Sequence, residues 1–391
     1  MHIVFYISSH GLGHYVRSAA LAYYLKTHEI YGFPRDDIDT FSMGGHAVRA
    51  GHITLIANST GLLEIMQRDP LLAGMRLMHR PFDITIIEKN PLVVDARATL
   101  NGCTDFISRA DRLIVEEKKF LRHQGADLVF SDIGFVPVAA AGALNLPVYL
   151  LGNFTWEEIL YDYHTKGYGA YKSDLLFLLD CYNMADTFFR LPLYMKLRIN
   201  VAIRDVGFIT RGAPTGGKRV RARLGLKPAQ RLIFDTLDTQ AMGGFSFPSR
   251  CWPRDTRLIV WQRDGKQARK TAAPNDQVLY VTERDMDFVE ILAASDVVVG
   301  KPGYNLMAQA VLYNKRLVVF ERRDFVESKA LISGASRFVP CRVMPLDALC
   351  ADCLVKEVNE VQNVRMGKRL KPDMYGEIAV YRHLFQDGAH G

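Results

Sequence analysis

The chain has 391 residues, 49% of them hydrophobic and 23% charged, with a formal net charge of +7 and six cysteines. Those values describe an ordinary soluble protein of two domains, each of about 150 to 200 residues and able to bury a core. Met1-His2-Ile3-Val4 has neither the basic start nor the apolar length of a signal peptide, so export is not expected and the cytoplasm is.

The chain opens with an apolar run, Ile3 to Ile7, short enough for one buried strand. It breaks at Ser8-Ser9-His10-Gly11-Leu12-Gly13 and resumes as a helix from His14 toward Leu25. Gly11 and Gly13 let the backbone approach a ligand, and free N–H groups at a helix start carry about half a positive charge, which suits a phosphate. Two histidines, His10 and His14, share the turn. Such a turn also occurs as a plain connection.

Residues 26–51 are polar and read as a loop or inserted excursion. His52 to Ala57 is the second strand, and Asn58-Ser59-Thr60 caps a helix running to about Arg68. Arg80 to Glu88 reads as a further strand, Arg97 to Gln124 as a helix, and Asp127 to Asp132 as a strand ending in an acid. No charged residue lies between Ile133 and Trp156, a length that would suit a membrane span. Pro137, Asn145, Pro147, Gly152 and Asn153 interrupt it, so it parses as a helix (Val138 to Leu144), a turn and a buried strand (Val148 to Leu151). A helix over Ser173 to Ala185 and a strand over Phe188 to Leu191 follow.

Between Lys196 and Arg231 ten basic residues stand against Asp205 alone, more than the excess of the whole chain. Aromatic residues do not alternate with these charges as they do in single-strand binders, so no nucleic-acid partner is expected. A solvated linker surface and a peripheral membrane contact both remain open for residues 196–231. Glycines and a proline cluster from Arg204 to Gly217 and mark the domain boundary.

The second half repeats the theme: helix (Arg219 to Leu224), strands (Arg231 to Thr236, Arg257 to Gln262, Val278 to Val281) and a helix over Phe288 to Ala294, with Asp287 and Glu290 at capping-box spacing. Asp296-Val-Val-Val-Gly300 then runs into Lys301-Pro302-Gly303-Tyr304-Asn305 and another helix, a second strand, turn, helix unit with a polar turn. Arg316 to Glu321 is the next strand. Of the cysteines only Cys350 and Cys353 form a C-x-x-C, read as two reduced thiols on a helix rather than a zinc or redox site. Two such halves imply an α/β protein of two Rossmann-like domains facing one cleft, because open parallel sheets bind ligands at the carboxyl ends of their strands.

The segments His10-Gly-Leu-Gly-His-Tyr-Val-Arg17, Val129-Phe-Ser-Asp132, Gly152-Asn-Phe-Thr-Trp156, Val299-Gly-Lys-Pro-Gly-Tyr-Asn305 and Asp324-Phe-Val-Glu327 resemble the glycosyltransferase-like domain at the N-terminus of plant L-arabinokinases and its stand-alone bacterial relatives, and more distantly other transferases of the GT-B fold. The resemblance implies an acceptor domain over residues 1–205, a hinge at 206–218, a nucleotide-sugar donor domain over 219–370 and a returning helix within 371–391. It implies a metal-independent, inverting transfer without a cofactor, with a UDP-sugar as the favoured donor and a small-molecule or membrane-surface acceptor. His14 aligns with the turn histidine of similar enzymes and is the expected general base, with Asp132 as the acid that orients it. Gly11, Gly13, Arg17, Arg211, Lys301, Gly303, Tyr304, Asn305 and Gln309 are expected on the donor, and His10, Asn153 and Trp156 on the acceptor.

Two features depart from the family pattern. Gln309 stands where related transferases carry a ribose-binding Glu, and Asp235 and Asp238 stand in a loop that usually meets the diphosphate, which two carboxylates would repel. A nucleotide-sugar hydrolase or epimerase, and a non-catalytic binding module, therefore stay beside the transferase as alternatives.

Overall fold

The computed structural model describes residues 1–32, 50–169, 171–237, 252–253, 255–262, 277–348, 350–366 and 370–386. The first half runs β1 (His2–Ile7), α1 (Leu12–Thr27), β2 (His52–Ala57), α2 (Thr60–Gln67) and β3 (Arg76–His79). An antiparallel pair, β4 (Glu88–Asn90) and β5 (Val93–Val94), precedes α3 (Ala96–Ser108) and α4 (Ala110–Gln124). Then come β6 (Leu128–Asp132), α5 (Phe135–Gly142), β7 (Val148–Gly152), α6 (Trp156–Thr165), α7 (Lys172–Tyr182), β8 (Thr187–Arg190) and β9 (Ala202–Asp205). The second half runs α8 (Lys218–Arg223), β10 (Arg231–Asp235), β11 (Thr256–Trp261), β12 (Val278–Val281), α9 (Phe288–Ala294), β13 (Val297–Gly300), α10 (Tyr304–Leu312) and β14 (Arg316–Phe320). It closes with α11 (Glu327–Ala335), β15 (Cys341–Met344), α12 (Ala351–Asn363) and α13 (Gly376–Phe385).

Two parallel sheets result, ordered β3-β2-β1-β6-β7-β8-β9 and β12-β11-β10-β13-β14-β15. Ile3 to Ile7 are buried along the whole of β1, as a strand covered by helices on both faces must be. Strand order reverses beside β1 in one sheet and beside β10 in the other, which opens a crevice at each reversal. Ile7 lies opposite Asp132 at the first and Asp235 opposite Val299 at the second. Gly300 ends β13 there because a Cβ would fall 2.2 Å from Thr236 Oγ1.

The sheets are tied together by more than the connection at 206–217. One apolar cluster runs without a break from Phe5 and Leu21 to Phe234 and Met307. Near the C-terminus Phe208 N donates to Asp373 O at 2.7 Å, and Tyr381 of α13 packs on His28 at 5.1 Å. Leu92, between β4 and β5, is fully buried in the core of the second half.

Several local expectations are corrected. Arg80 to Glu88 is not a strand: Phe82 N and Asp83 N donate to Asn58 Oδ1 at 2.8 and 3.0 Å, so a side chain takes the place of a ladder. The edge strand is β3, just before it. The helix read from Arg97 to Gln124 breaks at Arg109 into α3 and α4. Cys350 and Cys353 are disulfide-linked, not reduced; spaced by three at the first turn of α12, their Cα atoms stand 5.2 Å apart. Asp287 Oδ1 caps α9 at Glu290 N, but the Glu290 carboxylate is used elsewhere, accepting from Thr215 N and Gly217 N. Asp238 lies outside the described residues.

The basic stretch 196–231 does not form one face. Arg198 lies over the Tyr161 ring, Arg211 bonds Tyr15 and Asp69 of the first half, and Arg221 and Arg223 donate to Ala294 O and Asp285 O of the second. That scatter lends the membrane contact no support. Among the described residues no helix is long and apolar enough to cross a membrane.

Glu377 of α13 is buried, and burial first, then Asp373, pushes its carboxyl up to about 8. A carboxyl raised on folding adds stability that is complete below its unfolded pKa of about 4 and is lost as pH rises through the folded value. Urea midpoints measured from pH 5 to pH 8 are expected to fall less steeply for Glu377→Gln than for the wild type.

Candidate active site

The start of α1 and the start of α10 meet where the two sheets face one another. A Cβ on Gly13 would lie 3.5 Å from Asn305 N and 3.6 Å from Asn305 Cβ, so the first turn touches the second through a residue without a side chain. Neither helix has a side-chain cap, with Gly11 and Gly303 at the N-cap positions. Their leading N–H groups are therefore left to other acceptors. Thr210 Oγ1 donates to Asn305 Oδ1 at 2.9 Å and fixes the second turn to the connection between the halves.

Beneath these turns lies a buried acid. His14, Arg17 and Ser18 project from one face of α1 at i, i+3 and i+4 and converge on Asp132 at the end of β6. His14 Nδ1 is 2.7 Å from Asp132 Oδ1; Arg17 Nε and Ser18 Oγ donate to Oδ2 at 3.0 and 3.2 Å. Arg17 Nη2 also bonds Oδ1. Burial alone would raise the Asp132 carboxyl, but the Arg17 guanidinium and the His14 imidazole hold it below the ordinary carboxylate range. An ionised carboxylate only accepts, so His14 Nδ1 carries the hydrogen and the 2.8 Å approach of Arg17 Nη2 to Nδ1 is not a hydrogen bond. In the neutral form of the ring Nε2 then bears the lone pair. Among the described residues it has no partner.

Ile133, directly after Asp132, has φ of 58°, a strained value for a β-branched residue. Tyr182 Oη donates to its carbonyl at 2.6 Å and holds it there. Ser8 Oγ donates to Asp132 O at 2.7 Å and is hydrogen-bonded to the Asp83 carboxyl, whose other oxygen accepts from Trp156 Nε1 at 2.8 Å. Burial pushes the Asp83 carboxyl up to about 7. The His10 ring stands 3.9 Å from that of His14 and 4.9 Å from that of Trp156. Burial first, then His14 and the cations Arg17, Arg322 and Lys301, hold His10 well below its usual pKa, so its imidazole is neutral.

No protein-family model matches the chain. It is 24% identical over 398 residues to L-arabinokinase of Arabidopsis thaliana, a similarity covering all of this chain and 35% of that relative, so the chain spans about a third of the relative's length. Among solved structures the glycotransferase of kitacinnamycin superposes with a TM-score of 0.58 at 13% identity, over 93% of this chain and 91% of that one. A UDP-glucosyltransferase from Polygonum tinctorium, titled as capable of glucosylating indoxyl, gives 0.58 at 11% over 98% and 93%. Spinosyn forosaminyltransferase gives 0.57 at 12% over 98% and 94%. The fold is GT-B. The chain is glycosyltransferase-like in architecture.

Within this GT-B cleft the residues singled out in the sequence divide into two groups. His10, His14, Gly13, Asp132, Lys301 and Asn305 come together. Gly11 is exposed with open space around it, and Gly303 is open too. Others are spent on the protein itself. Arg17 is 1% exposed, and besides Asp132 it donates to Asn153 Oδ1 at 2.9 Å and lies over the Tyr304 ring. Asn153 is fully buried and passes that link on, donating to Glu327 Oε1 of α11 at 2.8 Å. Trp156 is wholly buried and serves as a wall behind His10. Tyr304 is buried under Arg17, and Arg211 is held by Tyr15 and Asp69.

Gln309 sits one turn after Asn305 on the same face of α10, fully buried, with neither amide atom hydrogen-bonded. Asp235 does not bring the expected repulsion: it is fully buried, burial raises its carboxyl far above the carboxylate range, and Oδ1 accepts from Leu237 N at 2.9 Å. Sequence reading overlooked Glu88, Arg322 and the role of Glu327, which meet their partners across the cleft and leave no local signal. It also overlooked α6, although Thr155 and Glu158 stand at capping-box spacing and form the box.

Unpairing one partner of a buried ion pair costs about 3 to 5 kcal/mol because the other charge stays without water. Asp132→Asn and Arg17→Met are each expected to lose stability of that order in urea unfolding. The double variant should lose less than the sum, with a coupling of about 1 to 3 kcal/mol.

Proposed function

We propose that the chain is an inverting, metal-independent glycosyltransferase that moves a sugar from a nucleotide diphosphate to an acceptor hydroxyl, with His14 as general base. The observation that carries this is the 2.7 Å contact of His14 Nδ1 with Asp132 at a GT-B switch point, which leaves Nε2 as the proton acceptor. The acceptor oxygen bonds to the anomeric carbon as that carbon's bond to the phosphate oxygen breaks. The hydroxyl proton goes to His14 Nε2 and the electron pair leaves with the diphosphate. Attack from the face opposite the leaving group inverts the configuration.

The uncapped starts of α1 and α10 and the Lys301 ammonium supply the positive field that such a leaving group needs. The unsatisfied amide of Gln309, on the Asn305 face of α10, suits a ribose hydroxyl. A UDP-sugar is the proposed donor, and an acceptor beside His10 the proposed second substrate. The nucleotides named for solved relatives agree in class: one is titled a UDP-glucosyltransferase and another a complex with dTDP. One feature favours the binding module instead. Arg17 shares the Asp132 carboxylate and so takes from His14 part of the charge that would stabilise its protonated form.

Thermal-shift titration with UDP-, GDP- and dTDP-sugars, followed by a sugar-release assay, separates these readings. UDP-sugars are expected to raise the melting temperature, and His14→Ala to cut turnover by about 10² to 10⁴-fold with the dissociation constant unchanged. Stabilisation without turnover establishes a binding module, sugar release without acceptor a hydrolase, and no response to any nucleotide removes all three readings.

A further inference from the structure

Glu88 of β4 belongs to the first half of the chain, yet its carboxylate lies on two cations of the second. Its Oε1 bonds Arg322 Nη2 and stands 3.7 Å from Lys301 Nζ. Arg322 follows β14 and its side chain is 8% exposed, with its guanidinium 4.5 Å over the Phe325 ring. Arg322 Nε is buried without a hydrogen-bond partner. A guanidinium presents Nε and Nη as a fork that fits both oxygens of one carboxylate or phosphate edge, and a buried N–H left empty is costly. Glu88 meets only part of that fork.

This place belongs to the cleft and not to an outer surface. Phe325 stands edge-on to Phe154 at 6.3 Å, and Phe154 lies 5.9 Å from His10 and 6.1 Å from His14. The positive charges of both Arg322 and Lys301 reach His10.

The backbone that carries Glu88 is held firmly. Leu92 is fully buried in the second core and its carbonyl accepts from Arg323 N at 2.8 Å, while Val94 N donates to Arg323 O at 3.2 Å. The Glu88 side chain, by contrast, is 33% exposed and can turn into water without moving the strand pair.

We propose that Arg322 and Lys301 form an oxyanion site in the cleft and that Glu88 is its internal occupant, displaced when an anionic group of the substrate arrives. The diphosphate of a donor and a phosphate or carboxylate on an acceptor present the same edge to this fork. The identity of that anion rests on the transferase reading; the site itself does not.

Isothermal titration calorimetry of the full chain with inorganic pyrophosphate tests the site. Glu88→Gln keeps the side-chain shape and removes the competing charge, and is expected to bind pyrophosphate about fivefold more tightly than the wild type. Arg322→Gln is expected to bind it about tenfold more weakly. Competition by UDP assigns the oxyanion to the donor, and undiminished binding in saturating UDP assigns it to an acceptor. Equal affinity in wild type and Glu88→Gln, or no binding by either, overturns the proposal. A melting curve of each variant separates lost binding from lost fold, and if Arg322→Gln does not fold the Glu88→Gln comparison decides alone. Since the readout is an inorganic anion and not turnover, the site can fail while sugar transfer is found, and can hold in a chain that transfers nothing.

Discussion

The buried carboxylate of Asp132 is the constraint around which the two halves are arranged. A charge taken out of water must be paired and hydrogen-bonded, and here three residues of α1 do both. Satisfying Asp132 orients His14, and the position of Arg17 then requires Asn153, which requires Glu327 of the second half. A chain of polar contacts thus runs from the end of β6 to the start of α11. The geometry of the candidate base is a consequence of the same requirement.

The two halves also close on each other elsewhere. Leu92 enters the second core, Arg323 pairs with the strand segment beside it, and Tyr163 and Tyr168 donate to Asp324 at 2.9 and 3.0 Å. These ties join the two halves in addition to the chain connection, so the groups on either side of the cleft are held relative to one another by the protein itself. Preorganisation of this kind lowers the ordering cost of binding. It also explains why several residues expected to touch ligand are engaged with protein: Arg17, Asn153 and Arg211 position the walls.

Much of the architecture was legible in the chain itself, because strand and helix patterns are local. The apolar runs of β1, β6, β10 and β13 and the turns after β1 and β13 identified two Rossmann-like halves, and the i, i+3, i+4 spacing of His14, Arg17 and Ser18 was there to be read. What misled was also local. Hydrogen bonds from Phe82 N and Asp83 N to the Asn58 side chain replaced a strand that apolarity suggested, and the charge of Asp235 was judged as though the residue faced water.

The sequence by itself determined the two α/β halves and the glycine turns, since each depends on residues within a few positions of one another, whereas the pairing of His14 with Asp132, 118 residues away, was expected only from the family resemblance. Only the tertiary structure decided that Arg17 would share Asp132, that Asn153 would join Glu327 across a separation of 174 residues, and that Glu88 would lie on Arg322 across 234. Such contacts have no period and no motif. They arise because buried charges must find partners wherever packing brings them, and packing is a property of the whole fold.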